Sequence, residues 1–167
     1  MSLHFSTFWV DGLYFGVEVE KVQEVLRYQP MTKVPLAPPV VRGLINLRGQ
    51  IVTAIDMRRR LELRDRPDHQ LPMNVIIRSD DGAMSLLVDE IGEVLMVGQE
   101  CFEPPPETLQ GLPRELIKAV YKLNGRLLLV LDSDKTINIA SQWLLPPAGG
   151  PRRASESALD WDPGAAN

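Results

Sequence analysis

The chain has 167 residues, a net charge of −4 and a pI near 5.2, with 44% hydrophobic and 24% charged residues. The hydrophobic share is enough for a core, and the acidic balance disfavours general attraction to nucleic acid or to an anionic membrane. The single cysteine, Cys101, precludes an internal disulfide, and no apolar run approaches the roughly 20 residues of a membrane-spanning helix.

The first residues lack a basic segment followed by an apolar stretch, so no signal peptide is read and a cytoplasmic, soluble protein is expected. Phe5 to Val10 and Leu13 to Val19 are rich in β-formers and flank Asp11-Gly12, a hairpin signal. Val22, Val25 and Leu26 then fall at i, i+3, i+4 and predict a short helix. Pro30, Pro35, Pro38 and Pro39 break regular structure. Val41 to Leu47 and Gln50 to Met57 predict a second hairpin turning at Arg48-Gly49, after which Asp56 is placed to cap a short helix through Leu61. The polar stretch from Glu62 to Gln70 predicts a loop.

The same grammar then recurs. Asn74 to Arg78 and Ala83 to Asp89 flank Asp80-Asp81-Gly82, and Gly92 to Val97 reads as extended. Pro104-Pro105-Pro106 predicts a loop, and Leu116 to Leu123 with Arg126 to Leu131 predict a last hairpin turning at Asn124-Gly125. Leu127 to Leu131 reads as core, and Asp132 as the cap of a short helix through Ile139. Val25 and Val94 lie 69 positions apart and Ile55 and Leu131 lie 76 apart, so the second copy keeps the order and only a loop has grown. Two long copies are not a solenoid. Short strands at regular spacing, with no helix long enough for a crossover, predict a mainly β chain of two small barrels. A domain over 1–145 is expected, with a seam near 62–72 and a Pro-, Gly- and Ser-rich disordered tail over 146–167.

Chemistry is sparse. His4 and His69 have no second ligand at metal spacing, and Asp132, Asp134 and Asn138 lack the glycine and glutamate of a calcium loop, which would fall at Ile137 and Trp143. Gly149-Gly150 does not lie between a strand and a helix as a phosphate loop would. No nucleophile sits in a recognisable motif with a histidine, so no enzyme and no cofactor are expected. Arg58-Arg59-Arg60, with Arg64 and Arg66, form a basic run without interleaved aromatics, which reads as a solvated helix face rather than a nucleic-acid surface.

Residues 39–58, Pro39-Val40-Val41-Arg42-Gly43-Leu44-Ile45-Asn46-Leu47-Arg48-Gly49-Gln50-Ile51-Val52-Thr53-Ala54-Ile55-Asp56-Met57-Arg58, closely resemble the signature of the CheW family of bacterial chemosensory adaptors. Gly16 to Val25, Leu87 to Leu95 and Asn124 to Asp132 agree with it, so the resemblance covers nearly everything from Phe5 to Ile139. It implies two SH3-like five-stranded β-barrel subdomains, no catalysis and no cofactor. The implied partners are a chemoreceptor cytoplasmic tip and the regulatory domain of a CheA-type histidine kinase, with no nucleic acid, no membrane insertion and recruitment to receptor arrays. Carried over by motif, Val22, Glu24, Arg42, Gly43, Arg48 and, from the second copy, Val88 would face a receptor-binding groove, with Glu24 and Arg48 paired.

Spacing alone gives plainer readings: Val22 as core, Arg42 as a solvated strand residue, Arg48 as a turn residue, Gly43 and Gly49 as permissive backbone. Departures from the family lie at Ala119, where a glycine is usual, at Lys122 and Asn124 in the last turn, and in the polar stretch Ser133 to Asn138. No kinase-binding residues are assigned. The alternatives are a related adaptor in a non-motility pathway (twitching, surface sensing or second-messenger control) and an unrelated double-barrel module for peptide or nucleic acid.

Overall fold

A computed structural model describes residues 2–80, 82–98, 102–103 and 111–139. The Pro104-Pro105-Pro106 loop and the 146–167 tail lie outside the described residues. Strands β1 (Ser2–Val10) and β2 (Leu13–Glu18) are followed by a single 3-10 turn at Val19–Lys21, then β3 (Val22–Leu26), β4 (Val41–Leu47) and β5 (Gln50–Asp56). Helix α1 (Met57–Arg60) precedes β6 (Met73–Ser79), β7 (Gly82–Val88), β8 (Glu90–Gly98) and β9 (Phe102–Glu103). A 3-10 turn at Arg114–Leu116, β10 (Ile117–Leu123), β11 (Arg126–Leu131) and α2 (Ser133–Ile137) complete the order.

The hairpin turns fall where the sequence puts them. Arg48 and Gly49 both have positive φ, +52° and +90°, and Leu47 pairs with Gln50, which makes a two-residue turn matched to strand twist. Both helices are capped as expected: Asp56 accepts from Arg58 N at 3.0 Å, and Asp132 accepts from Lys135 N at 3.0 Å.

The strands build two SH3-like barrels, with sheet orders β8-β1-β2-β11-β10-β9 and β3-β6-β7-β5-β4. The sheets do not follow the two sequence copies. The β1–β2 hairpin sits among strands of the second copy, and β6–β7 sits among strands of the first. Each copy thus lends its first hairpin to the other, through parallel contacts of β2 with β11 and of β5 with β7. Long crossings therefore join the barrels in both directions.

This exchange also explains the continuous apolar runs. On β6, Val75 and Ile77 face the core shared by both sheets while Ile76 faces the barrel interior with Ile45, Val52 and Leu87. On β11, Leu129 and Leu131 enter the shared core, while Leu128 and Val130 enter the other interior with Phe5 and Tyr121. Strands buried on both faces cannot alternate polar with apolar.

Two expectations are corrected. Residues 22–26 form strand β3, not a helix, and pair with β6 through Val22–Ile77, Glu24–Ile76, Val25–Val75 and Leu26–Asn74. A bulge between Val22 and Glu24 inserts one residue and disturbs the period of two, so the apolar positions imitate helical spacing. Leu127 is 39% exposed, because it lies near the turn of β11 with its side chain outward; only Leu128 to Leu131 are core.

Candidate functional site

Strands β3 and β4 are the two ends of their sheet, and the turn after β4 reaches back to β3. Arg48 Nη2 donates to Glu24 Oε2, linking the β4–β5 turn to β3. The turn is held from within, since Asn46 Oδ1 accepts from Gly49 N at 2.9 Å. Farther along, Thr32 and Leu44 exchange backbone hydrogen bonds of 2.9 and 2.8 Å, so the segment before β4 also pairs with it. Gly43 permits that approach: a Cβ there would lie 2.6 Å from the Thr32 carbonyl oxygen. Its role is backbone contact, and it is itself buried.

Arg42 projects outward from β4, with Nη1 3.9 Å from Asp56 Oδ2. It borders an open cleft of about 400 Å³ whose lining includes Tyr28, Met31, Lys33, Val34 and Arg59. Val22 is half-buried and packs against the shared core. Glu24, Arg42, Gly43 and Arg48 are thus gathered on β3, β4 and the following turn, with Val22 at the start of β3. Val88 is not among them. It is fully buried in the shared core, on a strand flanked by β5 and β6, and presents no surface for a groove.

Sequence reasoning missed a buried ionic cluster where the chain passes from one barrel to the other. Asp89, between β7 and β8, accepts from Arg58 Nε at 3.1 Å and Nη2 at 2.6 Å, from Arg66 Nε at 3.0 Å and from Asp11 N at 2.7 Å. Arg58 also lies 3.6 Å from Asp11, and Arg66 lies 3.7 Å from Asp56. Burial disfavours the Asp89 carboxylate, but the hydrogen bonds from Arg58 and Asp11 and the charges of Arg66 and Arg58 outweigh it, so its pKa falls below the usual carboxylate range. The hydrogen bond to Asp89 in turn raises Arg58.

The solvated-face reading of the arginine run is therefore corrected. The side chains of Arg58 and Arg66 are only 6% and 4% exposed, and Arg60 donates to the carbonyls of Thr136 and Lys135 at 2.9 Å each, tying α1 to the end of α2. Only Arg59 and Arg64 in this run are exposed. A shortage of local signal explains the miss, because no spacing says that Arg66 and Arg58 meet Asp89 across 23 and 31 positions.

The family model of the CheW-like domain matches residues 4–141. The chain belongs to the CheW family. Its relatives include the chemotaxis protein CheW of Treponema pallidum, 31% identical over 133 residues covering 77% of this chain and 78% of that protein. The chemotaxis protein CheW of Bacillus subtilis is 31% identical over 134 residues, covering 78% and 84%. Among solved structures, the scaffolding protein TtCheW of Thermoanaerobacter tengcongensis superposes with a TM-score of 0.72 at 24% identity, covering 79% of this chain and 90% of that one, which supports the shared fold.

As a CheW-family protein the chain is a chemotaxis scaffold or adaptor. The Glu24–Arg48 pair, Arg42 and Gly43 lie on or beside the stretch that carries the CheW signature. Among the described residues, no helix is long and apolar enough to cross a membrane.

Proposed function

We propose that the chain couples the cytoplasmic tip of a chemoreceptor to the regulatory domain of a CheA-type histidine kinase, by binding and geometry without catalysis. The observation that carries this reading is the Glu24–Arg48 pair, which ties strand β3 to the β4–β5 turn. The elements that carry the pair also expose apolar side chains, Val25 on β3 at 38% and Ile51 on β5 at 60%. Apolar surface ringed by polar groups is what docking a partner helix needs. Val22, Glu24, Arg42 and Arg48 form the receptor face, and Gly43 sets its backbone.

In this reading residues 1–145 act as one CheW-like domain whose two barrels are intertwined by hairpin exchange. The sequence copies meet near 62–72, and the protein works in the cytoplasm at membrane-associated receptor arrays. Array contacts gain strength from multivalency rather than from any one interface.

The test is kinase activation in a reconstituted mixture of receptor, kinase and this protein. Wild type should raise kinase activity in the presence of receptor, and Arg48→Glu should lose most of that gain while remaining folded. Full coupling by Arg48→Glu would remove Arg48 from the receptor face.

A further inference from the structure

We propose that the acidic, aromatic stretch of the chain's own C-terminal segment, Glu156 to Asp162, docks in the cleft between the segment before β4 and helix α1. The cleft is cationic in a protein of net charge −4: Lys33, Arg42 and Arg59 line it. Arg42 lies 3.9 Å from Asp56, whose Oδ1 already accepts from Arg58 N and lies 3.7 Å from Arg66, and Arg59 lies 4.0 Å from the same carboxylate while pairing with the exposed Asp65 at 3.2 Å. Lys33 has no ion-pair partner among the described residues. Tyr28, Met31, Val34 and Pro38 add apolar side chains to the same lining. A ligand for this surface carries several carboxylates around one or two large apolar side chains.

The segment beyond the described fold carries that pattern. Glu156-Ser157-Ala158-Leu159-Asp160-Trp161-Asp162 holds three carboxylates, a leucine and a tryptophan, and no cation. The tether also suits. Arg60 holds the end of α2 against α1 through its bonds to Lys135 and Thr136, and the neighbouring Arg59 lines the cleft. The described residues before the tail thus end near α1, whose Arg59 lines the cleft. From Ile139 to Trp161 are 22 residues, able to span at most roughly 70 Å, against a radius of gyration of about 14 Å for a domain of this size. A short tether gives an effective concentration in the millimolar range, so weak docking suffices.

A docked segment covers Arg42. Resting on the adaptor reading above, it would then compete with a receptor tip for that face, and the tail would set the threshold for coupling.

The test uses the full chain, labelled with ¹⁵N, compared with the tail variant Asp160→Lys/Asp162→Lys and the cleft variant Lys33→Glu. The tail variant should shift the amide resonances of Met31, Lys33, Val34, Arg42 and Arg59, and Lys33→Glu should shift those of Asp160 to Asp162. Changes confined to the substituted segment, or on another face of the barrels, overturn the docking. Shifts that grow with protein concentration would mean that the segment reaches a second copy, which overturns the intramolecular contact. A titration with a purified receptor tip fragment then addresses competition: the tail variant should bind three- to tenfold tighter than wild type. Equal affinity overturns the competition, while a tip that binds neither protein overturns the adaptor reading and leaves the docking to the spectra.

Discussion

Arg58 and Asp89 meet through two hydrogen bonds, Nε to Oδ1 at 3.1 Å and Nη2 to Oδ2 at 2.6 Å, with both side chains under a tenth exposed. Arg58 belongs to α1, which follows β5 in one sheet, and Asp89 stands where the chain leaves that sheet for β8 in the other. The pair fixes the crossing between the barrels. Removing the carboxylate would leave Arg58 and Arg66 buried without their main counter-charge. Asp89→Asn should therefore destabilise the fold by about 3–5 kcal/mol, measured by urea unfolding; a loss under 1 kcal/mol would show that the cluster is dispensable.

Acid should weaken the same cluster. Burial acts to raise Asp89, but the bonds from Arg58 and Asp11 and the nearby arginine charges hold it below its ordinary value. Glu18 is also lowered, chiefly by the hydrogen bond from Lys118, against burial. A carboxylate lowered in the folded state contributes fully above its unfolded pKa of about 4 and loses that contribution as pH falls through the folded value. Melting temperature should hold from neutral pH to about 5 and fall below about 4, and Asp89→Asn should flatten that acid limb. An unchanged limb in the variant would place the acid sensitivity elsewhere.

Substitutions at Arg48 should separate function from stability. At φ +52° it occupies a conformation that costs a non-glycine residue about 1–2 kcal/mol, and its pair with Glu24 is 67% exposed on the arginine side, which returns only ~0.2–1 kcal/mol. Arg48→Gly should keep or raise thermal stability while weakening receptor coupling. Arg48→Glu, which sets like charge against Glu24, should weaken receptor binding about tenfold, or ~1.4 kcal/mol. Collapse of the thermal transition in either variant would make the pair structural.

Gly43→Ala should lower stability by about 1–3 kcal/mol. The added carbon would sit 2.6 Å from the Thr32 carbonyl oxygen and 3.1 Å from its carbon, and backbone cannot swing aside as a side chain can. Chemical denaturation measures the loss, and hydrogen exchange at Thr32 and Leu44 should quicken with it.

The elements were legible wherever the signal was local. Asp11-Gly12, Arg48-Gly49 and Asn124-Gly125 each mark a turn that the fold uses, and Asp56 and Asp132 each cap the helix that follows. β3 was misread because its bulge imitates helical spacing. The exchange of hairpins was illegible, since β2 meets β11 across more than 100 positions and both sequence copies look self-sufficient. The resemblance led to Glu24 and Arg48, whose side chains do meet, whereas motif transfer misplaced Val88, because a repeat shows equivalent position and not equivalent exposure. The ionic cluster left no local pattern at all.

The central claim is that this chain bridges receptor and kinase. The most direct measurement is a calorimetric titration of the full chain against the regulatory domain of the histidine kinase encoded nearest to it. Saturable binding near one to one is the predicted result. No heat of binding at several temperatures, with both proteins folded, would contradict the bridging role.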